Sequence, residues 1–176
     1  MASKSVRTLL YTTKGHIVAT AFERLSSRTQ GPNGLVGAST KKAVELNVGS
    51  INNNVLLLAM IEDRDSLAAR TLIGAHPRIQ LLLEDRVKRE IQNRTGQQAP
   101  DSEYGPQLSH DAADAFDGGF YEAVQTGSYY KDPEHILLSI LRRDASFQKW
   151  LMMNNLIDYI ELYTALKSEL LALQPA

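Results

Sequence analysis

The segment from Asp132 to Arg142, with the sequence DPEHILLSILR, constrains the fold of this chain more than any other. Asp132 is a favourable helix N-cap, Pro133 suits the first helical position, and Glu134 lies where the helix dipole favours an anion. The residues that follow are apolar on almost every side of a helix, which indicates burial on most sides. The segment therefore predicts a short helix at the centre of a helical core.

A similar segment occurs earlier in the chain, at residues 51–61. When Val55 is aligned with His135, residues 57–61 fall on residues 137–141. The one small residue of each segment, Ala59 or Ser139, then occupies the same position. The pattern favours an internal duplication over a chance similarity of two apolar helices.

The amino-acid composition limits the classes of protein to which this chain can belong. The 176 residues are 43% hydrophobic, which is enough for one domain or two small packed halves. A net charge of −1, with the signs interspersed, gives no general reason to expect nucleic acid or an anionic membrane as partner. The absence of cysteine excludes disulfides, cysteine-based zinc sites and thiol catalysis. No apolar run approaches the roughly eighteen residues needed to span a bilayer, so we expect a soluble protein.

The N-terminal segment has an unusual composition. It carries Lys4, Arg7 and Lys14, with no acidic residue before Glu23, which is similar to an organelle transit segment. Residues 13–27, however, place apolar side chains at helical spacing. We therefore favour an amphipathic helix over a transit segment.

Residues 28–38 are rich in glycine and contain Pro32, and this composition predicts a loop. A phosphate-binding loop of the Walker type needs a Lys-Ser/Thr pair directly after its last glycine. Here Gly37 is followed by Ala38 and Ser39. The segment therefore predicts no nucleotide site, and we expect no cofactor.

The remaining hydrophobic pattern is helical, with no period-two alternation between turn signals. It predicts helices at residues 41–46, 51–62, 64–74, 77–95, 109–123, 133–142, 146–153 and 156–170. Two prolines and two glycines within residues 95–107 indicate a linker. We expect an all-α protein with a first half at residues 1–96, a linker at 97–107 and a second half at 108–176.

Residues 108–141 resemble the Clp repeat of the N-terminal domains of Clp-type AAA+ unfoldases. Leu108-Ser109 matches the start of that repeat, and His135 of the Glu-His-Leu-Leu-type helix follows Leu108 at the spacing found in the family. In the first half, residues 51–61 and 67–70 resemble the corresponding helices. The resemblance covers most of residues 13–172 and implies two pseudo-symmetric four-helix Clp repeats packed as one compact domain.

The resemblance also implies a function. In the parent enzymes this domain lies ahead of the ATPase rings and binds substrates or adaptors, and free-standing versions accompany plastid and bacterial Clp systems. It implies a non-enzymatic protein that binds a Clp ATPase, a Clp protease core, or substrates and adaptors, and modulates unfolding or proteolysis. An excised N-terminal domain of a longer unfoldase is the alternative. We expect the cytoplasm, or alternatively the plastid stroma, and no nucleic-acid or membrane partner.

The first repeat departs from the family pattern in two ways. It carries a glycine-rich insertion near residues 28–38, and Val55 stands where the second repeat has His135. In some family members a glutamate before that histidine, one from each repeat, helps to bind phosphorylated arginine. Glu134 keeps this position, but Asn54 replaces it in the first repeat. Because half of the anionic pair is missing, we do not expect phosphoarginine binding.

Five residues are candidates for binding a partner or substrate. They are Glu134 and Asn54 by resemblance, and Tyr129, Tyr130 and Lys131 as aromatic and basic residues of a loop, for which a place in the core is equally open. Trp150 is a further aromatic candidate, for which we favour the core.

Other polar residues favour structural roles. Asp111, Asp114 and Asp117 form an acidic row with regular helical spacing, for which a solvated helix face is favoured over a cation or partner site. His135 has no second titratable group at a spacing that guarantees proximity, so we interpret it as structural. The remaining histidines, at positions 16, 76 and 110, are widely separated, and we expect no metal site.

Two further classes of protein remain as alternatives. One is a small helical enzyme with a buried active site. The other is a helical DNA-binding regulator, for which Arg86, Lys88, Arg89 and Arg94 form a modest basic cluster. The interspersed acidic residues argue against DNA binding.

Overall fold

The computed structural model describes residues 21–93, 105–154 and 156–174. Within these ranges the chain forms eight α-helices and one pair of two-residue parallel strands. The first half contains α1 (Leu35–Glu45), β1 (Ser50–Ile51), α2 (Asn53–Glu62), α3 (Leu67–Ala75) and α4 (Ile79–Asn93). The second half contains β2 (Gln107–Leu108), α5 (His110–Gln125), α6 (Pro133–Arg143), α7 (Ala145–Met153) and α8 (Tyr159–Ala172). The predicted all-α fold is confirmed.

Helices α2 and α6 form the centre of the core, as their apolar sequences predict. Residues 55–61 of α2 and 136–141 of α6 are each at most 3% exposed. Such helices have no solvent-facing side, so their polar residues other than Ser139 lie at the ends. Asn52 caps α2 through its side chain, which accepts from the Val55 N–H, and Asp132 is the N-cap of α6.

The two halves follow the same backbone course. The C-cap residues of α1 and α5 are Leu46 and Thr126, and the residue after each cap, Asn47 or Gly127, has a left-handed φ of 55° or 76°. The alignment that places Val55 on His135 also places Asn47 on Gly127. A left-handed residue after a helix C-terminus satisfies the last carbonyl groups, and glycine or asparagine takes that conformation at least cost.

The halves are joined by two reciprocal parallel bridges that the sequence did not predict. Leu25 of the first half pairs with Lys131 of the second, and Leu108 of the second pairs with Ile51 of the first. The serine after each leucine repeats the contact, because Ser26 N–H donates to Lys131 O at 3.0 Å and Ser109 N–H donates to Ile51 O at 2.9 Å. The backbone at the start of each repeat is therefore paired with the backbone of the other repeat.

The first repeat is longer at its start. The stretch from Leu25 to Ile51 is slightly longer than the equivalent stretch from Leu108 to Lys131. Because the two halves stay in register from α1 and α5 onwards, the extra length falls before α1. A Cβ on Gly37, in the first turn of α1, would clash with the backbone of Pro32, so the loop can fold back on the helix only because this residue is glycine.

Two predictions for the N-terminal region were wrong where they can be examined. Of the helix predicted at residues 13–27, the part at 13–20 lies outside the described residues, and 21–27 form turns and the bridge at Leu25. The predicted loop at 28–38 is too long, because α1 already begins at Leu35 and includes most of the turn predicted at 41–46. Backbone pairing with Lys131 extends the chain at Leu25 and overrides its helical pattern.

The flanking helices bury single faces. In α4 the four-residue spacing predicts a stripe of Ile79, Leu83, Val87 and Ile91, of which the first three are buried and Ile91 is 39% exposed; in α8 the buried residues are Leu162, Leu166 and Leu170. The hydrophobic spacing of the last helix predicts a buried stripe of Leu156, Ile160, Tyr163, Leu166 and Leu170. This was partly wrong, since Leu156 precedes α8, Tyr163 is only partly buried and Ile160 is 58% exposed. The linker and the domain boundaries at 97–107 stay predictions.

Candidate protein-binding site

Glu134 lies in the first turn of α6 and is only 1% exposed. Arg28 donates two hydrogen bonds to its carboxylate, from Nη2 to Oε1 at 2.8 Å and from Nη1 to Oε2 at 3.1 Å. The backbone N–H of Ala68, in the first turn of α3, donates to Oε1 at 3.3 Å. A buried carboxylate needs such partners, and here a bidentate arginine and a helix N-terminus provide them. The hydrogen bond to Glu134 raises the pKa of Arg28.

A cavity of about 460 Å³ opens beside this ion pair. Its charged lining consists of Arg28, Arg70, Asp63, Asp65, Asp132 and Glu134. Leu170 and Leu173 at the end of α8 complete one wall. The cavity presents charges of both signs, and its most buried carboxylate is already bonded to Arg28.

The structure does not bring Asn54 into this cavity, although it occupies the position equivalent to Glu134. Asn54 is 7% exposed, and its Nδ2 donates to Oε1 of Glu90 in α4 at 2.9 Å. A glutamate at position 54 would place two carboxylates together at that contact, so the asparagine suits its neighbour. The two residues taken from the family resemblance therefore lie in different environments.

His135 is held at both ring nitrogens. Its Nδ1 accepts from the Asp132 N–H at 2.9 Å, so Nε2 carries the proton and donates to Thr126 Oγ1 at 3.0 Å. Thr126 is the C-cap of α5 and Asp132 the N-cap of α6, so the imidazole ties the two helix ends together. Burial lowers the pKa of His135. These contacts fit a structural histidine.

Lys131 was a candidate surface residue for which the core was equally open, and the structure places it in the core. Its side chain is fully buried, and Nζ donates to the carbonyl groups of Ala21 at 2.8 Å and Phe116 at 2.9 Å. Burial lowers the pKa of Lys131 to about 8. The lysine therefore stabilises the junction of the N-terminal segment with α5 and contributes nothing to an exposed patch.

Tyr129 and Tyr130, by contrast, are exposed by 61% and 55% and form an edge-to-face pair with ring centroids 4.9 Å apart. The guanidinium of Arg24 lies 4.5 Å from the Tyr129 ring centroid and 4.9 Å from that of Phe120 in α5. We call Arg24, Phe120, Tyr129 and Tyr130 the aromatic surface. Cation–π contacts hold its rings without covering them.

Sequence reasoning missed Arg24 and Phe120. The spacing gave no signal for Phe120, because it follows Phe116 by four residues and precedes Ala123 by three, which places it on the same helix face as these buried residues, and yet it is 39% exposed. Tyr121 and Val124 are exposed on the same helix, and Arg142 lies 4.5 Å from the Tyr121 ring centroid. Nothing in the sequence places Arg24 beside these rings, because the contact depends on the Leu25–Lys131 bridge.

The basic cluster considered for DNA binding is partly engaged within the protein. Arg86 lies 5.5 Å from the ring centroid of Trp150 and donates to Ser146 Oγ at 2.8 Å. Trp150 is partly buried and stacks on Phe147. Arg94 lies outside the described residues.

Two kinds of feature are absent from residues 21–93, 105–154 and 156–174. No helix there is long and apolar enough to cross a membrane. No group of three or more His, Cys, Asp or Glu side chains in the same ranges is arranged to hold a metal ion.

The fold and the paired helix–loop units define a two-repeat, all-α domain, and comparisons with known proteins identify it. The family model described as "Clp repeat (R) N-terminal domain" matches residues 29–154. The chain therefore belongs to the Clp repeat N-terminal domain family. A search of curated protein sequences gives no significant match.

Solved structures of low sequence identity share this fold. The N-domain of ClpV from Vibrio cholerae matches with a TM-score of 0.60 and 16% identity, over 87% of this chain and 90% of that one. A complex of the ClpV N-domain with a VipB peptide matches with a TM-score of 0.51 and 14% identity, over 73% and 74% of the two chains. At these identities the likeness extends to the fold alone.

Proposed function

We propose that this protein is a non-catalytic Clp N-domain module that binds a Clp ATPase, a Clp protease core, or their protein substrates and adaptors, and so modulates ATP-dependent unfolding or proteolysis. The aromatic surface is the observation that carries the proposal. Aromatic and arginine side chains are enriched at the centres of protein interfaces, and rings already held by Arg24 lose little conformational freedom on binding.

Two further observations support a binding role over a catalytic one. The ClpV N-domain, which shares this fold, has been solved with a VipB peptide, so the fold is compatible with peptide binding. His135, which lines the large cavity, has both ring nitrogens hydrogen-bonded, to the Asp132 N–H and to Thr126 Oγ1, which leaves neither nitrogen open to a substrate.

We expect that the cavity beside Glu134 does not bind phosphoarginine. The first repeat supplies Asn54 instead of a second carboxylate, and both oxygens of Glu134 already accept hydrogen bonds from Arg28. A guanidinium ligand would have to displace that bidentate pair. The proposed partner surface is therefore the aromatic surface and not this cavity.

Affinity capture of the tagged protein from its own cell extract tests the proposal. We expect a Clp ATPase or protease subunit among the retained proteins, and its loss with the double variant Tyr129→Ala/Tyr130→Ala. The matched control is Met152→Ala/Met153→Ala, which removes two side chains exposed by 62% and 72% from α7. Equal retention by all three proteins, or no Clp component with the unsubstituted protein, would contradict the proposal.

A further inference from the structure

A second cavity, of about 250 Å³, lies where the N-terminus of α2 meets α5, α6 and the start of α7. Its polar lining consists of Asn53, Asp111, Asp114, Ser139, Arg143 and Asp144. It shares no residue with the aromatic surface or with the cavity beside Glu134. It is large enough for the head group of a side chain.

Two buried polar atoms in its lining have no hydrogen-bond partner within the described part of the chain. Ser139 is 0% exposed and Asn53 is 4% exposed, and the atoms concerned are Ser139 Oγ and Asn53 Oδ1. Buried polar atoms are almost always paired, so two at one cavity indicate a group that is supplied from outside. Asn53 Oδ1 can only accept a hydrogen bond, because the Nδ2 of the same side chain donates to Asp144 Oδ2 at 2.9 Å. The missing group must therefore be a donor.

The carboxylates around the cavity specify the charge of that donor. Asp111 accepts from the Asn53 N–H at 3.3 Å, and Asp144 caps α7 by accepting from the Phe147 N–H at 3.0 Å. The Asp114 side chain is 52% exposed. Each ionised carboxylate offers about four acceptor positions, so these contacts leave capacity for more donors. Three acidic residues against the single cation Arg143 make the lining net negative.

We propose that this cavity binds a guanidinium or ammonium group, presented by an arginine or lysine side chain of a protein partner. The protein partner rests on the proposed function, whereas the cation site stands on the unpaired acceptors and the carboxylates. An anion would meet three carboxylates, and a neutral apolar group would leave Ser139 and Asn53 without a partner.

The site is tested by nuclear magnetic resonance titration of the ¹⁵N-labelled full chain with Nα-acetyl-arginine amide and Nα-acetyl-lysine amide. We expect saturable shifts of the Asn53 side-chain amide and the Ser139 backbone amide with at least one probe, and the stronger probe identifies the preferred head group. Nα-acetyl-citrulline amide, a neutral analogue of the arginine probe of nearly the same shape, is the control. Absence of saturable shifts, or equal binding of citrulline, would overturn the proposal and leave water as the partner of these atoms.

Substitutions locate the site. Asp114→Asn, at an exposed position, should weaken binding by about two- to fivefold, the range expected for one partly screened ion pair. Ser139→Ala should weaken it by a similar factor. Glu161→Gln makes the same charge change on α8, outside the cavity, and should leave the affinity unchanged. Unchanged affinity in Asp114→Asn would place the cation elsewhere. The proposed function is tested separately, by partner capture with the tyrosine variants, so either proposal can fail while the other stands.

Discussion

Lys42 and Glu122 occupy equivalent positions in the two repeats and carry opposite charges. Each forms an ion pair with a residue near the end of the next central helix, Lys42 with Glu62 of α2 and Glu122 with Arg142 of α6. The two ion pairs therefore join equivalent positions of the repeats, but the acidic and the basic residue have changed places. The pairs differ in the residue that would remain after its partner is replaced, because the Glu122 side chain is 0% exposed whereas that of Lys42 is 12% exposed and also pairs with Glu45 at 2.9 Å.

This difference predicts unequal costs of breaking the two pairs. Arg142→Met would leave the Glu122 carboxylate buried with only the Tyr163 hydroxyl as side-chain partner, at 2.7 Å. We expect a loss of about 2–3 kcal/mol, below the usual range for a fully buried pair because the Arg142 side chain is 39% exposed. Glu62→Gln should cost no more than about 1 kcal/mol. Urea denaturation of the two variants measures both values, and equal losses would contradict the account.

Replacing Arg28 and replacing Glu134 should also destabilise the protein to different extents, although the two residues form one ion pair. Arg28→Met leaves a buried carboxylate with one backbone N–H, whereas Glu134→Gln leaves an arginine whose side chain is 47% exposed and can be hydrated. We expect Arg28→Met to destabilise the protein by about 2 kcal/mol and Glu134→Gln by less. Adding Glu134→Gln to Arg28→Met should recover part of the loss in a double-mutant cycle. Additive losses would show that the two residues do not interact.

His135 should make the protein less stable in mild acid. Burial lowers its pKa in the folded protein below about 6.5, its value in an unfolded chain. Between these two values the unfolded state binds the proton and the folded state does not, so stability is full above about pH 6.5 and falls below it. The slope for one group is at most about 1.4 kcal/mol per pH unit. Denaturation midpoints from pH 7.5 to 5.5 should fall in the unsubstituted protein and less in His135→Gln, and identical slopes would contradict this prediction.

Lys131 should change stability with pH in the same direction as His135, but in mild alkali. Its pKa is about 8 in the folded protein, because burial disfavours the charged form, and about 10.4 in an unfolded chain. Between these values the unfolded state holds more protons, so stability should rise as the pH increases from about 8 to about 9.5. Lys131→Met should abolish that rise, whatever its effect at neutral pH. A rise that persists in the variant would assign it to another group.

Local signals made much of the fold predictable from the sequence. Asp132 caps α6, as expected, and the largely apolar sequence of residues 136–141 correctly indicated burial on most sides of the helix. The repeat was visible because the central helices cannot vary without losing core packing. These features depend on residues close together in the chain.

Features that depend on distant residues could not be predicted. Arg28 and Glu134 lie in different halves of the chain, and Lys131 is buried only because the N-terminal segment bridges to it at Leu25. A lysine in a polar loop normally keeps its charged group in water, so the composition of this loop gave no sign that Lys131 is buried. The three residues of the acidic row lie in different places, because Asp111 and Asp114 line the second cavity and Asp117 does not.

The most direct test of the account is site-specific photocrosslinking at the aromatic surface. Benzoylphenylalanine would replace Tyr129 in one sample and Met152, a comparably exposed residue of α7, in the other, and both would be irradiated in cell extract. The account predicts that a Clp ATPase or protease subunit, or a protein that the Clp system unfolds or degrades, crosslinks at position 129 and not at position 152. Equal crosslinking at both positions, or crosslinks at position 129 only to proteins outside the Clp system, would contradict it.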